Sequence, residues 1–361
     1  MKFIRIPPIA LLPFALLSLV LGILTGLVRL GYPMPVAEAV GQHGALMIGS
    51  FLTTLILLER AVVFKTNWAL LAPLLNGLSL PAFWLGATEL AQGLLIAGAL
   101  SMVLMTYLFL VRHRHSYYYL LLAGSVCLAV GNSLLFRNGF YPLAVPWWMG
   151  FLLFTIVGER LELSRFLPLT TGQRALLWAL LALVALGIGQ PFHGAGQSVL
   201  GAGMLGVALW LLRYDMALKS LRKPGQARYS GVWLLVGYGW LFLSGLLFLL
   251  PVRNAFWYDA ALHSFFLGFV FSMIFAHAPI ILPGVLGRGG VFYHPLLYAW
   301  AGLNSVSLGL RLGADWQALP NWRVFSGFGQ TAALLGFFVT IALTVAGLNR
   351  LSFRKKGYSR G

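Results

Sequence analysis

Apolar stretches long enough to cross a lipid bilayer follow one another along almost the whole chain. A helix of about 20 mostly apolar residues spans a hydrocarbon core of about 30 Å. Twelve such stretches occur, at 9–30, 37–58, 68–86, 89–111, 117–135, 144–158, 173–190, 196–214, 231–250, 257–277, 293–312 and 323–346. Lipid offers the backbone no water to bond with, so spans of this kind must be helices. Charged residues make up 9% of the 361 and hydrophobic ones 60%, whereas soluble domains carry about 25% charge. The expected fold class is an all-α polytopic membrane protein, a single transmembrane domain over residues 1–361 with about 12 transmembrane helices.

A net charge of +17 could suit a nucleic-acid binder, but its distribution points to a membrane. With the N-terminus cytoplasmic, twenty of the 25 Lys and Arg fall in inner segments. Only Arg29, Arg137, Arg253, Arg311 and Arg323 fall outside. That asymmetry follows the positive-inside rule and places both termini in the cytoplasm. The expected partner is the lipid bilayer with its anionic headgroups, and no nucleic acid. The first span follows Lys2 and Arg5, but it is longer than a signal-peptide core of about 7–15 residues, so it is expected to remain a span. Cys127, the only cysteine, excludes an intrachain disulfide, a cysteine metal cluster and a C-x-x-C-H haem attachment. The loop at about 215–230 reads as a solvated basic linker without chemistry. Trp147, Trp148, Trp257, Trp316 and Trp322 fall at outer helix ends, as interfacial aromatics do.

A weak repeat relates the second, sixth and tenth spans. Residues 50–59, 150–159 and 268–277 each begin with a small residue followed by Phe and end on Glu59, Glu159 or His277. The first two continue into Arg60 and Arg160. The spans would then form three groups of four, at about 1–115, 116–228 and 229–350.

Two histidines lie within apolar spans, about seven residues from the outer end of each. His43 sits in Gly41-Gln42-His43-Gly44, and His263 in Ala261-Leu262-His263. At 1.5 Å per residue both lie roughly 10 Å below the outer helix ends. Ionisable residues inside lipid are rare and mark bundle interiors or sites. A neutral imidazole is a good ligand for haem iron, zinc or copper. Asp259, four residues before His263, shares its helix face and could fix its tautomer. Gly41 and Gly44 would let a flat macrocycle, or another helix, approach closely. The alternative is that each histidine bonds only to a neighbouring helix or a buried water.

The stretch Gln42-His43-Gly44-Ala45-Leu46-Met47-Ile48-Gly49-Ser50-Phe51 resembles helix two of haem-copper oxidase large subunits, where a similar pattern supplies a haem ligand. Twelve helices in groups of four, with a second histidine on helix ten, are similar to that superfamily as well. The closer resemblance is to the NnrS family, twelve-helix haem- and copper-containing membrane proteins linked to nitric oxide stress. It rests on the His43-x-x-Leu46-Met47 region and on Ala261-Leu262-His263, about 40 residues with their surroundings. The resemblance implies a bacterial inner (cytoplasmic) membrane protein with one bis-histidine haem b held by His43 and His263, acting in redox or nitric oxide response. A redox role would then require a quinone or a redox partner protein. The oxidase copper ligands are missing, since 144–190 contains no histidine and helix ten carries a single His263. The chain is therefore not a complete haem-copper oxidase.

A second polar group is expected at the inner face. His277 and His263 are fourteen residues apart, within about 40° in direction and about 21 Å apart along the axis. With His294, Glu59 and Glu159, His277 could form a metal or proton site. That site would serve the rival function, a transporter or channel for a metal ion, copper among them, or for a small solute. His113 and His115 lie among arginines and read as headgroup-facing, and His193 reads as a loop residue. Asn76, Asn132 and Asn304 fall within spans, where interhelical hydrogen bonds explain them. No Walker motif, dinucleotide glycine loop or nucleophile elbow is present.

Overall fold

The computed structural model describes residues 7–347, except 65, 165–166, 253, 288–289 and 291 and the side chains of 37–38 and 192–193. The basic residues at 2, 5, 65, 165, 253, 288, 350, 354–356 and 360 and the His193 side chain therefore lie outside the described residues. All elements are helical, and no strand occurs among the described residues.

Among the described residues, ten helices are long and apolar enough to cross a membrane. They are α1 (Pro8–Arg29), α2 (Ala45–Phe64), α3 (Thr88–His113), α4 (Ser116–Asn138), α5 (Tyr141–Leu163), α6 (Thr171–Gly189), α7 (Gly194–Tyr214), α8 (Gln226–Leu249), α9 (Trp257–Val285) and, last in the chain, α11 (Pro320–Val345). Between the last two lies α10 (Leu296–Gln317), equally long but more polar, with Asn304, Arg311 and Asp315 buried along it. Chain neighbours α3–α4, α4–α5, α6–α7 and α10–α11 pack together, as short connections require. Helix α8 packs between α7 and α9, and α2 reaches α9 across the molecule.

The structure departs from the sequence expectation in two spans. Residues 68–86 form no single rod but the short helices Leu71–Gly77 and Ser79–Trp84. Pro73, Gly77 and Pro81 account for the break, since proline lacks the N–H and glycine has poor helix propensity. The tenth span does not stop at 277. It runs through Pro279 and Pro283 to Val285, tolerable in a bundle where neighbours re-satisfy freed backbone groups.

Two long segments wind as π-helix, Ala45–Thr53 in α2 and Ser264–Val270 in α9, and a third, Phe192–Gly196, is a short kinked π turn at the start of α7. Such winding leaves carbonyls without an ordinary i+4 partner, and π segments concentrate at functional sites. Each of the two long segments has one carbonyl met by an asparagine from the helix that follows in the chain. Asn76 Nδ2 donates to Gly49 O at 2.9 Å and to Thr54 Oγ1 at 2.8 Å. Asn304 Nδ2 donates to Leu267 O at 3.0 Å. Gly49 and Leu267 are equivalent positions in the aligned segments. Asn132 does the same for α3, donating to Leu95 O at 3.0 Å while accepting from Trp148 Nε1 at 2.9 Å.

Replacing Asn304 by Leu removes the interhelical hydrogen bond to the Leu267 carbonyl in an apolar interior. Interhelical hydrogen bonds in membranes contribute about 0.6–2 kcal/mol, so a loss of about 1–2 kcal/mol is expected. Unfolding of the purified protein in mixed micelles measures it, with Val306→Ala, on an exposed face, as the unaffected control.

Candidate functional site

The two π segments bracket the first site. His43 stands at the end of a 3-10 turn (Ala37–Gln42), and the π winding of α2 begins two residues later. His263 closes the first, α-helical part of α9, and π winding begins at the next residue. Below them the rings of Phe51 and Phe271 stack with centroids 6.1 Å apart. Each histidine precedes its phenylalanine by eight residues, so a shared contact sets the two imidazoles at one level. They lie within electrostatic reach of each other.

Both rings have a fixed tautomer. His43 Nδ1 is 2.9 Å from Gly22 O and 3.2 Å from Thr25 Oγ1, and the Thr25 hydroxyl donates to the same carbonyl at 2.8 Å. A carbonyl only accepts, so Nδ1 carries the proton and Nε2 the lone pair. His263 Nδ1 likewise donates to Asp259 O at 2.9 Å, with the Asp259 carboxylate 3.2 Å away. Neither Nε2 has a hydrogen-bond partner among the described residues. Glycine 26 makes room for His43, because a Cβ there would stand 3.0 Å from His43 Cε1. Gly44 admits another helix, the second of the two neighbours expected: the ring of Tyr141 on α5 lies 2.9 Å from where its Cβ would stand.

Asp259 does more than hold His263. Its Oδ2 accepts from Arg311 Nη2 and Arg323 Nη2, both at 2.7 Å. Arg323 Nε also lies 2.8 Å from Asp315 Oδ1, as an ion pair without hydrogen-bond alignment. Arg311 Nη1 donates to Gln330 Oε1 at 3.3 Å. Two arginines that read in the sequence as topology charges thus form a cluster with two aspartates beside His263. The signal for it was their position near the ends of apolar spans, where a buried partner is required.

The donor chemistry fits a metal that takes two neutral imidazoles, haem iron included, because each Nε2 lone pair is free and each Nδ1 is anchored. Gly22 O, Thr25 and Asp259 supply the outer hydrogen bonds.

The second site lies at the far end of the same helices. A cavity of about 300 Å³ is lined by positions 52, 55, 56 and 59 of α2, 152, 155, 156 and 159 of α5, and 270, 273, 274 and 277 of α9. These are the same four positions in each of the three aligned segments, one helical face at i, i+3, i+4 and i+7. Helices α1 and α11 close the wall with apolar side chains such as Leu12 and Ile341. The structure therefore brings Glu59, Glu159 and His277 to one cavity. His294 is not part of its lining; its Nδ1 accepts from Leu296 N–H at 3.1 Å at the start of α10.

The Glu-Arg neighbours do not pair with each other. Arg60 pairs instead with Glu159 across to α5. Arg160 forms a two-pronged bond to Asp215, Nε to Oδ2 at 3.0 Å and Nη2 to Oδ1 at 2.8 Å. Its Nη1 lies 3.3 Å from His277 Nε2. His277 Nδ1 donates to Met273 O at 2.7 Å, so its Nε2 accepts from Arg160. Asp215 is thus no part of a solvated linker. It is buried, and it also caps Ala217 N–H at 2.8 Å. No group of three or more His, Cys, Asp or Glu arranged to hold a metal occurs among the described residues.

Ten apolar crossing helices around buried ion pairs define a multi-pass helical membrane protein. Residues 8–346 match the family described as Domain of unknown function (DUF8744), and the chain belongs to it. Among curated proteins and among solved structures, none matches the chain.

Arg160→Leu strands the Asp215 carboxylate in the interior. Removing one partner of a buried pair costs about 3–5 kcal/mol, so a loss of that size is expected in detergent-solubilised unfolding. The double variant Arg160→Leu/Asp215→Leu is expected to recover most of it.

Proposed function

We propose that the protein is a haem-binding protein of a bacterial inner membrane, similar to the NnrS family, with His43 and His263 as the axial ligands of one b-type haem in a redox or nitric oxide response. The observation that supports this reading best is the matched pair of imidazoles. Both present an unpartnered Nε2 at one level, both are fixed through Nδ1, and both are followed by π winding. A haem held there supplies a one-electron redox couple. The chain's own residues orient the ligands. Gly22 O and Thr25 hold His43, Asp259 holds His263, and Arg311 and Arg323 hold Asp259 in turn. Hydrogen bonds of this kind raise ligand basicity and fix ring orientation. Electrons would enter from a quinone or a redox protein.

The reading includes twelve crossings. Residues 67–84 count as a broken third crossing and α10 as the eleventh, with both termini cytoplasmic and the histidines near the outer face. Green fluorescent protein inserted within 215–225 is then expected to fluoresce, and insertion at 251–255 to give none. The reverse pattern inverts the orientation.

The haem assignment is tested by expression with sufficient haem and an optical spectrum of the purified protein. A Soret band is expected, lost or strongly shifted in His43→Ala and in His263→Ala. Thr25→Val is expected to keep the haem but move its reduction potential, since it removes one hydrogen bond to a ligand. Protein with no Soret absorption, or an unchanged spectrum in both histidine variants, defeats the proposal.

A further inference from the structure

The cavity among α2, α5 and α9 has a composition that selects its occupant. Its walls are apolar at positions 52, 55, 56, 152, 156, 270, 273 and 274, with Thr155 the exception; Glu59, Glu159 and His277 stand together about one turn further along, where α9 continues the wall with apolar residues as far as Val285. The three apolar positions of each helix, i to i+4, cover about 6 Å, and apolar side chains of α1 and of α9 beyond His277 extend the wall. A volume of about 300 Å³ is at the lower edge of small-molecule sites.

Among the described residues, the polar end holds three acidic side chains, Glu59, Glu159 and Asp215, against two basic ones, Arg60 and Arg160. Glu159 is neutralised by Arg60, and Arg160 by Asp215. His277 has both ring nitrogens engaged, one on Met273 O and the other on Arg160. That leaves Glu59, which lines the cavity and has no hydrogen bond or ion pair among the described residues. Glu162 stands near it and adds a second negative charge to its surroundings. An anionic head such as a fatty acid or a phospholipid phosphate finds no lysine or arginine side chain among the described lining residues. A hydrated metal ion meets apolar walls and no triad of ligands. A molecule with an apolar body and a single positive head satisfies both ends, since a buried charge requires a partner.

We infer that this cavity binds one lipophilic monocation, its hydrocarbon body along α2, α5 and α9 and its ammonium head against Glu59. The shared chemistry covers protonated long-chain amines and quaternary ammonium compounds, and both reach the site from the bilayer. The site is independent of the histidine pair at the other end of the same helices.

The test compares heads on one tail. The full chain, purified in an uncharged maltoside detergent, is titrated with dodecylamine, dodecyltrimethylammonium, dodecanol and dodecyl sulfate, and bound molecules are counted by native mass spectrometry. Saturable binding of one cation per chain is expected, at least ten-fold tighter than dodecanol, with dodecyl sulfate weakest. Tighter binding of dodecylamine than of the quaternary compound assigns a hydrogen-bonded amine head, and the opposite order a bulkier onium. Glu59→Gln is expected to lower cation affinity ten-fold or more and leave dodecanol within two-fold. Leu55→Trp, which fills the cavity, is expected to abolish both. Equal affinity for dodecanol and the cations in the wild-type chain overturns the proposal, whatever the variants do. So does cation binding that survives Leu55→Trp unchanged. His43→Ala is expected to leave cation binding intact, which separates this site from the proposed haem site.

Discussion

Everything in this fold depends on keeping backbone groups paired where there is no water to pair with them. A regular α-helix meets that condition by itself, and most of the chain consists of such helices. The two long π segments pair i with i+5 instead, and an asparagine on the following helix adds a bond to one carbonyl in each. Asn76 and Asn304 are therefore part of the histidine site although neither touches a histidine. Without them, one carbonyl in each of these segments would lose its bond to a neighbouring helix.

Charge is organised at the two ends of the bundle. At one end Asp259 and Asp315 face Arg311 and Arg323; at the other Arg60 and Arg160 face Glu159 and Asp215. Each pair joins different elements, so each selects which helices meet. Buried pairs add little net stability over apolar packing, and their best-attested use is to specify register. The Arg60–Glu159 pair ties α2 to α5, and the Arg160–His277 contact ties α5 to α9. These are the three helices around the cavity.

Much of this was legible in the sequence. Apolar length identified the membrane spans, and the alignment of 50–59, 150–159 and 268–277 paired the positions that line one cavity. The interhelical role of Asn76, Asn132 and Asn304 follows from polar residues in apolar runs, and all three have it. Asp259 does contact His263. What stayed hidden depends on partners distant in sequence. Counting apolar residues carries no information on hydrogen-bond register, so π winding left no trace. Arg311 and Arg323 look like loop charges until Asp259, 52 and 64 residues earlier, is seen between them. Asp215 opens a basic loop, and only Arg160 explains its burial.

The π segments also act as a register between the two ends of α2 and α9. A π turn holds an additional residue without lengthening the helix in proportion, so it turns everything before it relative to everything after it. An α-helix turns about 100° per residue. Deleting one residue from 45–53 with the winding around it unchanged would rotate His43 by about that angle relative to Glu59. The same holds for His263 and His277 across 264–270. The angle between the histidine level and the cavity thus depends on the lengths of 45–53 and 264–270, and one length change in either helix would point a histidine at a different neighbour while leaving the apolar pattern of the span almost untouched.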